Sequence, residues 1–389
     1  MKVTQARVYL VDTGLKEAGT IKPIIIELIT DEGISGIGEA GLGYGLGSYS
    51  VAALAKEMID IFVLGQDTSL ITKIWQDIYY NSFWAKGGSP SFFSALSAIE
   101  IALWDIKGKE KNIPLHEIFG GKVREKVHIY ANWSMAYPCQ SPEDFAERAS
   151  QVVSDGYDAV KFYPLNKIDE DNRVIFVPLG EPDEYTVQRC VNSIKAVRKE
   201  VGANVTLAVD LCADAPIETM LRIGREIESC NLLFMEEAVD AFDCEGYRRL
   251  ATALTTPQAA GERISTLRAF RCLLETRSIS YLQPDPTLCG GLAEVVKICA
   301  LAESFGVEVA LHNCGSPIST AACLHLDSCI PNACIQEIFP YRPDIFYELV
   351  DYAPEKDIRN SYWFPNNRPG LGLDLQHKRI EPFLLFTCQ

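Results

Sequence analysis

The runs Val205-Thr206-Leu207-Ala208-Val209-Asp210, Leu232-Leu233-Phe234-Met235-Glu236 and Gln258-Ala259-Ala260-Gly261-Glu262 are short, apolar, and each ends on an acid. The three acids fall 26 residues apart, the length of one strand, one helix and their turns. Outward from this stretch the same form repeats. Strand candidates are Val127–Ala131, Ala159–Tyr163, Val205–Val209, Leu232–Met235, Gln258–Ala260, Ile279–Gln283, Val307–Leu311 and Ala333–Gln336. Helical periodicity fills the gaps at Glu143–Ser154, Thr186–Glu200, Pro216–Ser229, Cys244–Ala253, Ser265–Glu275 and Leu292–Phe305. Eight strands alternating with helices predict an α/β fold, a closed (β/α)8-type barrel.

Upstream the pattern differs. Val3 to Val11, Ile21 to Thr30 and Ile34 to Glu39 read as strands, the last two joined through Asp31-Glu32-Gly33. Residues 50 to 80 and 91 to 108 then read as helices, with Leu96, Ile99, Leu103 and Ile106 on one stripe. The chain divides into an α+β capping domain (1–124), a barrel (125–345) and a C-terminal segment (346–389) that returns to the capping domain. Gly41-Leu42-Gly43-Tyr44-Gly45-Leu46-Gly47 lacks the Lys-Ser/Thr ending of a phosphate loop and is read as a mobile lid. The stretch from Leu165 to Tyr185, rich in Asp, Glu and Asn, is either part of a lid or oligomer contact or a solvated excursion.

With 389 residues, 48% apolar and 23% charged, the chain has the make-up of a soluble globular protein of about two domains. Its 36 Lys+Arg against 52 Asp+Glu give a net charge of −16, which repels nucleic acid and anionic membrane surfaces. An anionic substrate must therefore be drawn in locally, by a bound cation or a few placed basic groups. Met1 to Arg7 lacks the features of a secretory signal and no apolar run reaches the ~18 residues of a membrane span, so a cytoplasmic location is expected. The 13 cysteines are odd in number, scattered, and form no Cys-x-x-Cys pair; they are expected to be reduced and mostly in the core, with Cys212, Cys289 and Cys314 near the polar strand ends.

In a barrel the chemistry sits where strands end. Here the ends carry Lys161 and Tyr163, Asp210, Glu236 and Glu237, Glu262 and Arg263, Gln283 and Asp285, His312, and Gln336 and Glu337. Asp210, Glu236 and Glu262 converging from adjacent strands would repel one another unless a cation neutralises them, and all-oxygen ligation suits Mg²⁺. Asp285 and His312 end neighbouring strands, so the carboxylate can fix the tautomer of the imidazole and raise its basicity, which makes His312 a general acid/base candidate. Lys161 and Tyr163, two apart, share the inward face. Lys161 is a counter-charge for the acids. Tyr163 either accepts a proton, with its pKa lowered by neighbouring cations, or only hydrogen-bonds. Glu337 either hydrogen-bonds a bound carboxylate or orients its neighbours. His116, His128, His325 and His377 have no such setting and are taken as structural or exposed.

These residues resemble the enolase superfamily and, more narrowly, its mandelate racemase-like branch with the galactonate/galactarate dehydratase-like sugar-acid dehydratases. The resemblance covers essentially the whole chain. Ser97-Ala98-Ile99-Glu100-Ile101-Ala102-Leu103-Trp104-Asp105-Ile106-Lys107-Gly108-Lys109 and Pro369-Gly370-Leu371-Gly372-Leu373 mark the superfamily, and Asp285 with His312 marks the branch. It implies Mg²⁺ held by Asp210, Glu236 and Glu262, a substrate carboxylate on that ion, and an enediolate stabilised with the help of Lys161 and Glu337. His312 would then return a proton, giving racemisation or epimerisation, or protonate a departing hydroxyl, giving a 2-keto-3-deoxy acid. Three positions depart from the pattern. Tyr163 stands where two-base racemases have a second lysine, Cys212 where galactonate dehydratase-like members have a histidine, and Ala238 where a proline commonly follows the second glutamate.

The expectation is a Mg²⁺-dependent dehydratase of an aldonate or aldarate, with His312 as general acid and Tyr163 or His312 as proton acceptor. An epimerase or cycloisomerase sharing the enediolate step is the alternative within enzymes; a catalytically silent sugar-acid-binding protein is the alternative outside them. Substrate choice is assigned to residues 14–22 and 41–50 and to the turn from Asn81 to Lys86, with Trp84 a substrate-binding candidate. By analogy the chain is expected to form a homo-oligomer.

Overall fold

A four-stranded antiparallel sheet carries the N-terminal region, in the order Leu384–Cys388, Val3–Leu10, Ile24–Thr30, Ser35–Ala40, so the end of the chain adds a strand beside its beginning. The computed structural model describes residues 1–14, 21–43, 45–133, 137–170, 174–175, 180 and 182–389. Against this sheet lies the helix Pro90–Lys111, started by Pro90 and by Ser89, whose side chain accepts from the Phe92 N–H. Helix and sheet approach as backbones. A Cβ on Gly36 or Gly38 would stand 2.2 or 2.0 Å from the carbonyl oxygens of Ala102 or Ala98, so no side chain fits at either position.

The barrel strands are Val127–Asn132, Ala159–Phe162, Thr206–Asp210, Met235–Glu236, Gln258–Ala260, Tyr281–Leu282, Glu308–Val309 and Gln336–Ile338, each parallel to the next. The eighth pairs back to the first, and a parallel bridge from Val309 to Ala333 joins the seventh to the chain entering the eighth. The seventh strand is shorter than expected and the eighth begins later, because Ala333 and Cys334 make only that bridge before the ladder to the first strand starts at Gln336. One helix escaped the sequence reading. Pro317–Cys329 is buried along its whole length and so shows no polar face from which a helical period could be read. The excursion between the second and third strands contains a small hairpin, Lys167–Ile168 with Val174–Ile175; residues 171–173, 176–179 and 181 lie outside the described residues.

Two buried glutamates from the capping region sit on the starts of barrel helices. Glu39 accepts from the backbone N–H of Ser316 and Ser319 at 3.0 and 3.2 Å and from the Ser316 hydroxyl at 2.6 Å, at the start of Pro317–Cys329. Glu100 accepts from Leu292 N at 2.8 Å, Ala293 N at 3.0 Å and Trp104 Nε1 at 2.7 Å, at the start of Leu292–Ser304. The closing motif is fixed by Asp105, which takes the Leu371 N–H at 2.8 Å and the Ile37 N–H at 3.0 Å. These joints seat the cap on the barrel mouth. There Gly41 donates to the Thr287 carbonyl at 2.9 Å. Tyr44 of the glycine-rich segment and residues 15–20 of the preceding loop lie outside the described residues. Among the described residues no helix is long and apolar enough to cross a membrane. All 13 cysteines are free thiols.

Candidate active site

The third, fourth and fifth strands end at one place. Asp210, Glu236 and Glu262 each offer a carboxylate oxygen, and these oxygens lie within 4.8 Å of one another. Parallel register produces this: Asp210 pairs with Glu236, and Ala259 pairs with Glu236 just before the chain turns at Gly261 toward Glu262. Glu236 is fully buried and Glu262 nearly so. Burial pushes the Glu236 carboxyl well above its ordinary range, against the pull of Lys161, with Asp210, Glu337 and Glu262 adding repulsion. The same causes, burial first and then Glu262, raise its neighbour Glu237 to about 8. Crowded oxygens with an excess of negative charge, all from carboxylates, fit a hard divalent cation.

Positive groups ring this cluster. Lys161 from the second strand, itself buried, reaches Glu236 Oε1 at 2.6 Å and Glu337 Oε1 at 2.8 Å. Glu337 also accepts from Asn132 Nδ2 at 2.9 Å and the Asn313 N–H at 3.1 Å. Burial raises its pKa, but Lys161 and then His312 outweigh burial and hold the carboxyl below the usual range. Every described side-chain contact of Glu337 is thus with a donor, the setting of an ionised carboxylate. Arg263 lies 3.3 Å from Glu262 Oε1 and 3.2 Å from Glu237 Oε2, and Gln283 donates to Glu236 Oε2 at 2.7 Å.

On the far side stands the histidine. His312 Nδ1 lies 2.7 Å from Asp285 Oδ2 and its Nε2 lies 3.3 Å from Glu262 Oε2, so the ring bridges the dyad carboxylate and the acidic cluster. Burial lowers the pKa of this imidazole, while Glu262 and then the Asp285 hydrogen bond raise it; the sum lies well above the ordinary histidine range. Asp285 is held in turn by Thr287, whose N–H and hydroxyl donate to Oδ1 at 2.7 and 2.6 Å. Thr287 is the residue whose carbonyl anchors Gly41, which links the cap to the dyad.

Tyr163 is buried and its hydroxyl donates to Asp214, which lies beyond the end of the third strand. Asp214 follows two non-glycine residues in the left-handed region, Cys212 (φ 51°) and Ala213 (φ 57°). Cys212 donates its N–H to Asp210 Oδ1 at 3.0 Å, and burial followed by the charge of Asp210 raises its thiol far above the ordinary range, so it is no substitute for a basic histidine. Ala238 leaves Glu236 where the strand register puts it; the residue before it, Glu237, adopts φ 43°. Trp84 stands apart. It is 84% exposed and lines a groove of about 380 Å³ with Leu54, Met58, Phe62, Phe83 and Phe92.

Sequence reasoning left Asn132, Asn313 and Asp214 without roles. Asn132 could have been found by asking what ends the first strand; Asn313 and Asp214 follow strand ends without a spacing signal of their own. The remaining histidines have partners elsewhere. His116 and His325 are stacked with their Nδ1 atoms 3.0 Å apart, His128 meets Asp158 at 2.7 Å, and His377 lies 3.4 Å from Glu27.

Comparison with known proteins gives the family. Residues 3–120 match the mandelate racemase / muconate lactonizing enzyme N-terminal domain, and residues 144–379 match the enolase C-terminal domain-like family. The D-galactonate dehydratase of Ralstonia pickettii (strain 12J) is 35% identical over 365 residues, 92% of this chain and 90% of the relative. That of Cronobacter sakazakii (strain ATCC BAA-894) is 32% identical over 364 residues, with the same coverage of both. The crystal structure of an enolase superfamily member from Salmonella Typhimurium superposes with a TM-score of 0.92 at 32% identity, covering 100% of both chains. The mandelate racemase/muconate lactonizing enzyme of Jannaschia sp. CCS1 gives 0.88 at 25% identity over 99% of this chain and 98% of that one. The chain belongs to the mandelate racemase / muconate lactonizing enzyme family of the enolase superfamily.

Proposed function

We propose that this enzyme is a Mg²⁺-dependent hydro-lyase that dehydrates a sugar acid, an aldonate or aldarate, to its 2-keto-3-deoxy acid. The observation that carries the reading is His312 held by Asp285 at 2.7 Å with its other nitrogen turned to the acidic cluster, 3.3 Å from Glu262. Asp210, Glu236 and Glu262 would hold the ion. When bound, it would grip the substrate carboxylate and stabilise the charge that collects there when the neighbouring C–H is broken. Lys161, fixed by Glu337, adds a second positive group beside that charge. The hydroxyl on the next carbon is a poor leaving group unless protonated, and His312 supplies that proton. The proton taken from C2 goes to Tyr163 or His312. The relatives named D-galactonate dehydratase support the same reaction class.

Incubation with a panel of aldonates and aldarates in the presence of Mg²⁺, with 2-keto acid trapped by semicarbazide, tests the proposal. Keto acid from at least one member is the expected result. A panel giving none, with the protein folded and Mg²⁺ in excess, rejects it.

A further inference from the structure

Tyr163 and His312 are built alike. Each follows the end of a barrel strand, and each is bonded to a carboxylate that follows the end of an adjacent strand: Asp214 after the third for Tyr163 after the second, Asp285 after the sixth for His312 after the seventh. The fourth and fifth strands lie between the two pairs, and their acids Glu236 and Glu262 cluster with Asp210 of the third. The chain adopts an unusual backbone to make the first pair. Two successive non-glycine residues, Cys212 and Ala213, take left-handed φ values, and Ala213 N–H bonds the carbonyl of Glu237 while Asp214 N–H bonds that of Leu211. This turn presents Asp214, itself largely buried, to the phenol.

We propose that Tyr163 is the proton acceptor and that Asp214 is its positioning residue, taking up the phenolic proton as Tyr163 takes the proton from C2. This rests on the dehydratase reading and deepens it. The C2–H bond breaks and its electron pair enters the substrate carboxylate. The proton joins the Tyr163 oxygen, and the original phenolic proton passes along the existing hydrogen bond to Asp214. The C3–O bond then breaks with its electrons, and His312 delivers the proton that turns the departing hydroxyl into water. The enol that remains tautomerises to the ketone, and exchange with solvent returns Asp214 and His312 to their starting states. Two further observations favour this division of labour. Burial, only partly offset by the bond from Tyr163 and the charge of Arg263, lifts Asp214 to about 6, so it can hold a proton near neutrality. Cys212, beside the pair, is turned to Asp210: its N–H and its thiol lie 3.0 and 3.4 Å from Asp210 Oδ1. With Tyr163 accepting on one side of the acidic cluster, His312 on the other is left to act as acid alone.

The test runs wild type, Asp214→Asn, Asp214→Glu, Tyr163→Phe and the double variant Asp214→Asn/Tyr163→Phe over the aldonate and aldarate panel with Mg²⁺ in D₂O. It reads keto acid formation and deuterium entry at C2 of recovered substrate. Expected are a fall of kcat by about 10²–10³-fold in Asp214→Asn with KM within about threefold, partial recovery in Asp214→Glu, and a double variant no worse than Tyr163→Phe. A folded Asp214→Asn with kcat within threefold of wild type, or single effects that multiply in the double variant, overturns the pair while leaving the dehydratase reading intact. Deuterium entry without keto acid, lost in Asp214→Asn, rejects dehydration and keeps the pair. Neither product nor exchange from wild type rejects both.

Discussion

Two groups of buried carboxylates divide this molecule. At the joint between cap and barrel, Glu39 is surrounded by N–H groups and a hydroxyl and Glu100 by N–H groups, and neither brings a second acid within hydrogen-bonding range in its described contacts. At the barrel mouth, Asp210, Glu236 and Glu262 face one another within 4.8 Å. The contrast shows how burial of a charge serves different ends. A carboxylate placed on a helix start satisfies orphan backbone donors and complements the helix dipole, so it fastens one piece of structure to another. Three carboxylates pressed together oppose folding unless something positive joins them, so their grouping is a mark of chemistry.

Breaking the mouth should give the largest effect. Asp210→Asn removes one metal oxygen and is expected to lower keto acid formation by about 10³-fold or more, with the melting temperature without added metal unchanged or raised as repulsion is relieved. His312→Asn leaves the triad intact and is expected to cost about 10²–10⁴-fold in kcat. Enzyme assays beside thermal melts check both; a melting temperature that falls in step with activity would show that the triad acts as a structural joint.

At the joint the order reverses. Glu100→Ala strands the Leu292 and Ala293 N–H groups and Trp104 Nε1, and should lower unfolding free energy by about 1–3 kcal/mol in a denaturant titration. Activity per folded molecule at 25 °C should stay within a few-fold. The joint also makes stability depend on pH. Burial lifts Glu39 and Glu100 to about 7, against 4.5 for an ordinary glutamate. Between those values the folded chain keeps protons that the unfolded chain has released. Their contribution is therefore complete below about pH 4.5 and is lost as pH rises through 7. Denaturation midpoints at pH 5.5 and 8 should differ less in Glu39→Gln/Glu100→Gln than in wild type; an equal difference would mean that these acids are ionised throughout.

The two groups were unequally legible in the sequence. The mouth acids end apolar runs at a constant interval, a pattern that the barrel itself imposes, so fold and triad were read from the same residues. Asp285 and His312 followed by the same logic. Glu39 and Glu100 gave no such sign, because a glutamate on a strand or helix looks solvent-facing until a helix from another part of the chain is laid on it. Asp214 was hidden by the turn at Cys212 and Ala213, since left-handed φ at non-glycine residues is not announced by residue type. Pro317–Cys329 was missed because total burial erases the polar face on which helical periodicity depends.

The smallest effect belongs to Trp84, which lies in neither group. It is 84% exposed beside Phe83, which is itself 77% exposed, on the turn that the sequence assigned to substrate choice. An indole left in water adds little to the fold, so Trp84→Ala should leave unfolding free energy within about 0.5 kcal/mol. If the turn closes over the distal end of a sugar acid, the loss of that contact is felt in binding alone, because the bonds that change lie at C2 and C3 beside the acids. KM should then rise about three- to tenfold with kcat unchanged, the signature of binding shared equally by ground and transition states. An unchanged KM would take the turn out of the substrate's reach. A fall in kcat would instead mean that the turn helps to shape the mouth, and would tie this exposed surface to the buried acids.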